Sequence, residues 1–197
     1  MALPEGSERA SAASDRRTFL TRSLGVAAGV TGTVVTAAAF AAPASATSTG
    51  SNRIQSTQDA WRFCTKCYTL YYWGYPTDGV CPAGGAHSAQ GFNFILPYDV
   101  PETPNQQRNW RFCTKCFSMY FWGYPTDGVC PAGGAHTAQG FNFCLPHDIS
   151  ETSTRQANWR FCTKCFVMFY YGYPTNGRCA AGNAHSAQGY NFVLSHY

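Results

Sequence analysis

From Gln58 to Tyr197 the apolar residues fall into short runs and two-residue alternations, and no stretch joins helical caps to a 3.6-residue period. Tyr68-Thr-Leu-Tyr-Tyr-Trp73 is an aromatic run bounded by Gly74, which predicts a strand. Tyr75-Pro-Thr-Asp-Gly79 follows as a turn, with proline presetting φ and glycine free to take φ > 0. Cys81-Pro-Ala-Gly-Gly-Ala-His87 is a second tight loop. Phe92-Asn-Phe-Ile-Leu96 alternates and closes the segment as another strand. The pattern predicts an all-β chain of short strands.

The same pattern is written three times. Trp61-Arg-Phe-Cys-Thr-Lys-Cys67 returns at Trp110–Cys116 and Trp159–Cys165, at a period of 49 residues, the signature of a repeat architecture. The repeats span 58–106, 107–155 and 156–197, each opening on a glutamine (Gln58, Gln107, Gln156) three residues before the tryptophan. Polar connectors, Pro101-Glu-Thr-Pro-Asn-Gln106 and Ser150-Glu-Thr-Ser-Thr-Arg155, lie between them. Two architectures are open: closure into one pseudo-threefold domain, or three small modules strung as beads. The Gln-x-x-Trp pattern loosely resembles the Gln-x-Trp of lectins with the β-trefoil fold, which is also built from three copies of forty to fifty residues. An aromatic content of 16% is more apolar surface than isolated modules of this size bury, which favours packed repeats.

Each repeat carries C-x2-C-x13-C-x5-H: Cys64, Cys67, Cys81 and His87; Cys113, Cys116, Cys130 and His136; Cys162, Cys165, Cys179 and His185. Two paired arms of thiolate and imidazole ligands suit a tetrahedral Zn2+, and four protein ligands leave no position for water or substrate. Three structural zinc ions per chain are expected, each stapling one repeat. The competing reading is disulfide bonding, which an exported protein favours. Three cysteines per repeat cannot all pair within a repeat, although the total of ten is even. The tenth, Cys144, stands where the other copies have Ile95 and Val193, so it reads as an apolar core residue. His147 and His196 have no such setting and receive no role.

Residues 1–46 have the layout of an export signal: Ser14-Asp-Arg-Arg-Thr-Phe-Leu20, an Ala/Gly/Val/Thr-rich run from Leu24 to Ala42, and the small-x-small motif Ala44-Ser45-Ala46. The Arg16-Arg17 pair resembles the twin-arginine type, a pathway that carries proteins already folded. The reducing cytoplasm would keep the thiols free for metal before export. Secretion is therefore expected, followed by a polar, flexible leader over 47–57. No second apolar run is long enough to span a membrane. The mature chain carries ten Lys/Arg against seven Asp/Glu. Three Cys3His sites with divalent ions would bring this small excess to about zero, which argues against a nucleic-acid partner.

Trp73, Trp122 and Tyr171 sit at the edge of a turn in matching positions and are the candidate ligand-binding platforms, since aromatic faces supply contact area at small entropic cost. Most other aromatics are expected in the core. Lys66, Lys115 and Lys164, with Arg62, Arg111 and Arg160, are expected to neutralise the thiolate clusters. Asp78 and Asp127 become Asn176 in the third copy, as a turn tolerates and an acid–base pair does not. With no triad motif either, the chain is read as a non-enzyme.

Two functions fit. The first is multivalent binding of a cell-surface glycan or similar repetitive ligand by three like sites. The second is an adaptor or assembly subunit for secreted protein partners, with the leader ordering on one of them. The W-R-F-C-x2-C…C-P-A-G-G-x-H unit resembles repeats of secreted proteins from filamentous actinobacteria. On its export signal and size, the chain also resembles the small adaptor of the umbrella-shaped toxin particles of Streptomyces. That resemblance implies assembly within a secreted multi-protein toxin complex.

Overall fold

The computed structural model describes residues 56–197; the expected export signal and most of the expected leader lie outside them. Each repeat folds as three antiparallel strands: β1 (Thr57–Cys64), β2 (Leu70–Tyr72) and β3 (Ala89–Pro97), then β4 (Gln106–Cys113), β5 (Met119–Phe121) and β6 (Ala138–Pro146), then β7 (Arg155–Cys162), β8 (Met168–Tyr170) and β9 (Ala187–His196). No helix forms among the described residues. Strand β1 begins at Thr57, whose partner is Pro97, so the leader's last residue belongs to the first repeat.

Within a repeat the long first strand pairs with both others, for example Trp61 with Tyr72 and with Phe94. Alternation puts Trp61 and Phe63 into the core and leaves Arg62 between them facing outward. A bulge separates Gln58 from Trp61. Its cause is a left-handed residue, Ala60, Asn109 or Asn158, with φ between 60° and 69°. The bulge carbonyl then accepts the amide of the platform residue: Trp73 on Ala60, Trp122 on Asn109, Tyr171 on Asn158.

The repeats close head to tail into a ring. At one end of the pseudo-threefold axis the short strands bridge at Tyr71–Ser118, Tyr120–Val167 and Thr69–Phe169. The Tyr72 amide donates to Phe117, Phe121 to Phe166, and Tyr170 back to Tyr68. At the other end Tyr98 bridges to Phe143 and His147 to Phe192, and His196 pairs with Phe94 to shut the seam. These bridging residues also stack on the next repeat: Tyr98 on Phe141, His147 on Tyr190 and His196 on Phe92, at 3.6–3.7 Å between ring centres. His147 and His196 thus pack between repeats.

The core follows the same cycle. Trp61 meets Phe143 edge to face, Trp110 meets Phe192 and Trp159 meets Phe94. All three indoles are fully buried, and each Nε1–H donates to the glutamine three residues earlier, which accounts for the Gln-x-x-Trp spacing. Every indole packs edge to face on an aromatic ring of another repeat, so no repeat keeps its core intact alone. This excludes the beads arrangement.

Candidate metal centres and inter-repeat clefts

The two ligand arms of each site come from the turn between the first and second strands and from the loop before the third. In the first arm, Tyr68 takes φ 66° and its amide returns to the Cys64 carbonyl at 2.8 Å, so both sulfurs of Cys64 and Cys67 face one point. In the second arm, the Cys81 amide donates to Gly85 and the Gly84 amide to Cys81. Gly84 and Gly85 both have positive φ, which lets the loop fold back and bring His87 alongside Cys81. Lys66 Nζ donates to the Gly84 carbonyl at 2.7 Å, as do Lys115 to Gly133 and Lys164 to Gly182. The lysine therefore ties one arm to the other instead of reaching the sulfurs.

The four ligand atoms of each site, Cys64, Cys67, Cys81 and His87 and their two counterpart sets, lie within 4.8 Å of one another. All twelve side chains are buried. Cys64 and Cys81 sulfurs are 4.0 Å apart, and Cys67 Sγ is 3.4 Å from His87 Nδ1. All ten cysteines are free, and the sulfur spacing is about twice a disulfide bond of ~2.05 Å. A tetrahedral ion with Zn–S bonds of ~2.3 Å would hold its sulfurs roughly 3.8 Å apart, so the donor set fits such an ion in type, number and spacing. Cys144 is buried against the Pro101 carbonyl, away from the three clusters, as its apolar counterparts imply.

The electrostatics of each cluster also call for a cation. Hydrogen bonds from Cys67 and then Cys81 push the Cys64 thiol far down, so it is a thiolate. Burial, then the Cys64 and Cys81 sulfurs, push Cys67 far up. Burial alone would depress His87, but hydrogen bonds to Cys64 and Cys81 outweigh it and hold the imidazole at about 9. Without an ion the cluster thus retains protons that a divalent cation would replace. Outer contacts support the sulfurs: the Ser88 amide donates to Cys64 Sγ and Thr69 Oγ1 lies 3.0 Å from Cys67 Sγ. Each histidine ring stacks on the second-strand aromatic, Tyr71, Tyr120 or Phe169, at 4.6–4.7 Å.

The aromatic platforms stand on the outside. Trp73, Trp122 and Tyr171 are about half exposed, and each has a guanidinium over one face: Arg62, Arg111 or Arg160, at 5.2–5.8 Å from the ring centre. Two residues on, Tyr75, Tyr124 and Tyr173 are equally exposed and line a feature that no single repeat contains. Three clefts of about 150, 210 and 190 Å3 open between successive repeats. In the first, Gln58, Tyr72 and Tyr75 face Phe112, Gln139 and Phe141 of the next repeat. The other two repeat this arrangement, and none of the residues lining the three clefts carries a charge.

Among the described residues no helix is long and apolar enough to cross a membrane. Comparison with protein-family models, with curated proteins and with solved structures gives no match.

Proposed function

We propose that this chain is a secreted, non-catalytic assembly subunit: a zinc-stapled ring that grips a partner protein through its inter-repeat clefts and their aromatic rims. The observation that carries this reading is the chemistry of the clefts. Each is aromatic and uncharged, with two glutamines, one of which is already committed to its indole N–H. A sugar needs several directional partners for its hydroxyls, and burying them unpaired costs about 1–3 kcal/mol each. An apolar side chain from a partner protein asks for none. The rims, Trp73 with Arg62 and Tyr75 and their counterparts, have the Trp/Tyr/Arg composition of protein-interface hot spots.

The faces also differ. Arg178 is exposed where the other repeats expose Val80 and Val129, and Tyr171 replaces a tryptophan. A repetitive glycan makes no demand for such asymmetry, whereas one partner held in one orientation does. The resemblance to a small toxin-particle adaptor points the same way. Zinc is the ion of choice because three thiolates and an imidazole are soft to borderline donors in a tetrahedral set. The ion would be structural, since four protein ligands complete its shell.

The test is isolation of the native protein from culture supernatant, in parallel with binding to a glycan array. A stoichiometric protein partner that is lost on replacing Tyr75, Tyr124 and Tyr173 by Ser, with a silent array, is expected. A free monomer with array binding that depends on Trp73 and Trp122 would instead return the function to glycan recognition.

A further inference from the structure

The three metal clusters are not independent, because each ligand histidine reaches into the next cluster. His87 offers Nδ1 to its own site, and its Nε2 lies 3.0 Å from the Cys116 carbonyl oxygen. His136 does the same to Cys165. His185 returns to Cys67. A carbonyl only accepts, so Nε2 carries the proton and Nδ1 keeps its lone pair for the metal. One hydrogen bond thus fixes the ligating tautomer in one site and positions the C-x2-C turn of the next.

A second contact reinforces each link. Gly79, at φ 65°, lies so close to the Cys116 carbonyl that a Cβ there would collide with it; Gly128 lies likewise on Cys165 and Gly177 on Cys67. A third link is adjacent in sequence, where Tyr72, Phe121 and Tyr170 donate their amides to the carbonyls of Phe117, Phe166 and Tyr68. The C-x2-C turn of every site is therefore held from outside by the second arm of another, in a closed cycle of three.

We infer that the chain takes up its three ions cooperatively, with the histidine Nε2–H to cysteine carbonyl bond as the coupling element. Ordering the second arm of one site by an ion presents a pre-organised C-x2-C turn to the next ion, which then binds with less ordering cost. Because the cycle closes, every site is both donor and recipient. This goes beyond the assembly role above and stands whatever the partner is; it rests on the clusters binding metal.

The experiment is native mass spectrometry of the metal-free mature chain titrated with Zn2+. Chains with no ion and with three ions should dominate at every ratio, and those with one or two should fall several-fold below a binomial distribution. The matching variant is His87→Cys, His136→Cys and His185→Cys together, which keeps four ligands per site but removes the Nε2–H donor. It should still load three ions, with one- and two-ion species restored to binomial proportions. Binomial loading of the unaltered chain would overturn the inference. So would undiminished cooperativity in the variant, which would place the coupling elsewhere. Absence of bound ion in every species would overturn the metal reading along with it.

Discussion

Ala60 occupies a left-handed backbone position that the other repeats fill with Asn109 and Asn158. An L-residue with a Cβ is strained there, and asparagine tolerates the region better. In the second repeat Asn142 Nδ2 also donates to the Asn109 side-chain oxygen, an acceptor that Ala60 does not offer to the equivalent Asn93. Ala60→Asn is therefore expected to raise the unfolding free energy by about 1 kcal/mol, measured by denaturant titration of the metal-loaded protein. The Tyr71 and Tyr120 hydroxyls are buried without partners among the described residues, and the third repeat manages with Phe169. Tyr71→Phe should stabilise by roughly 1 kcal/mol and leave the metal content unchanged; destabilisation would show that the hydroxyl has a partner. Neither position is conspicuous in the sequence, because strain and orphaned atoms depend on the backbone that surrounds a residue rather than on its type.

At the scale of elements, the two ligand arms were legible because their geometry is local. C-x2-C in a turn and C-x5-H in a Gly-Gly loop each fix their own ligand directions. The clefts were not legible, because Tyr75 and Gln139 belong to different repeats and meet only after closure. The lysine between the paired cysteines was expected to meet sulfur charge and instead caps a carbonyl of the opposite arm. The arms also set the response to pH. In the metal-free chain His87 is raised to about 9, so its imidazolium contributes stability that is complete below about 6.5 and lost as the pH climbs through that raised value. The ion reverses the sign, because it needs the unprotonated nitrogen and thiolate. Metal-dependent stability should therefore be present at neutral pH and lost on acidification. Loading at pH 7 should release protons, from the Cys67 thiol, itself raised by burial, and from His87. Dye-monitored titration in weak buffer reads this directly, and uptake without proton release would contradict it.

For the whole molecule, the three-copy period and the all-β strands could be read from the chain, but closure could not. It rests on backbone bonds such as Tyr72 to Phe117 and on the pairing of His196 with Phe94, which carry no side-chain signature. At the seam Tyr197 stands where the first two repeats place Asp99 and Asp148. There Tyr197 exchanges both backbone bonds with Asn93. Removing residues 195–197 should cost roughly 3 kcal/mol through the lost strand pairing and the lost stacking of His196 on Phe92, seen as a lower denaturation midpoint. The Cys3His clusters sit at the turns through which neighbouring repeats touch, so bound metal would fix those turns. Elemental analysis of freshly purified mature protein, read as a metal-to-protein ratio, tests this most directly. Three zinc ions per chain are expected; a chain free of metal, with the cysteines of those clusters crosslinked, would overturn the metal reading.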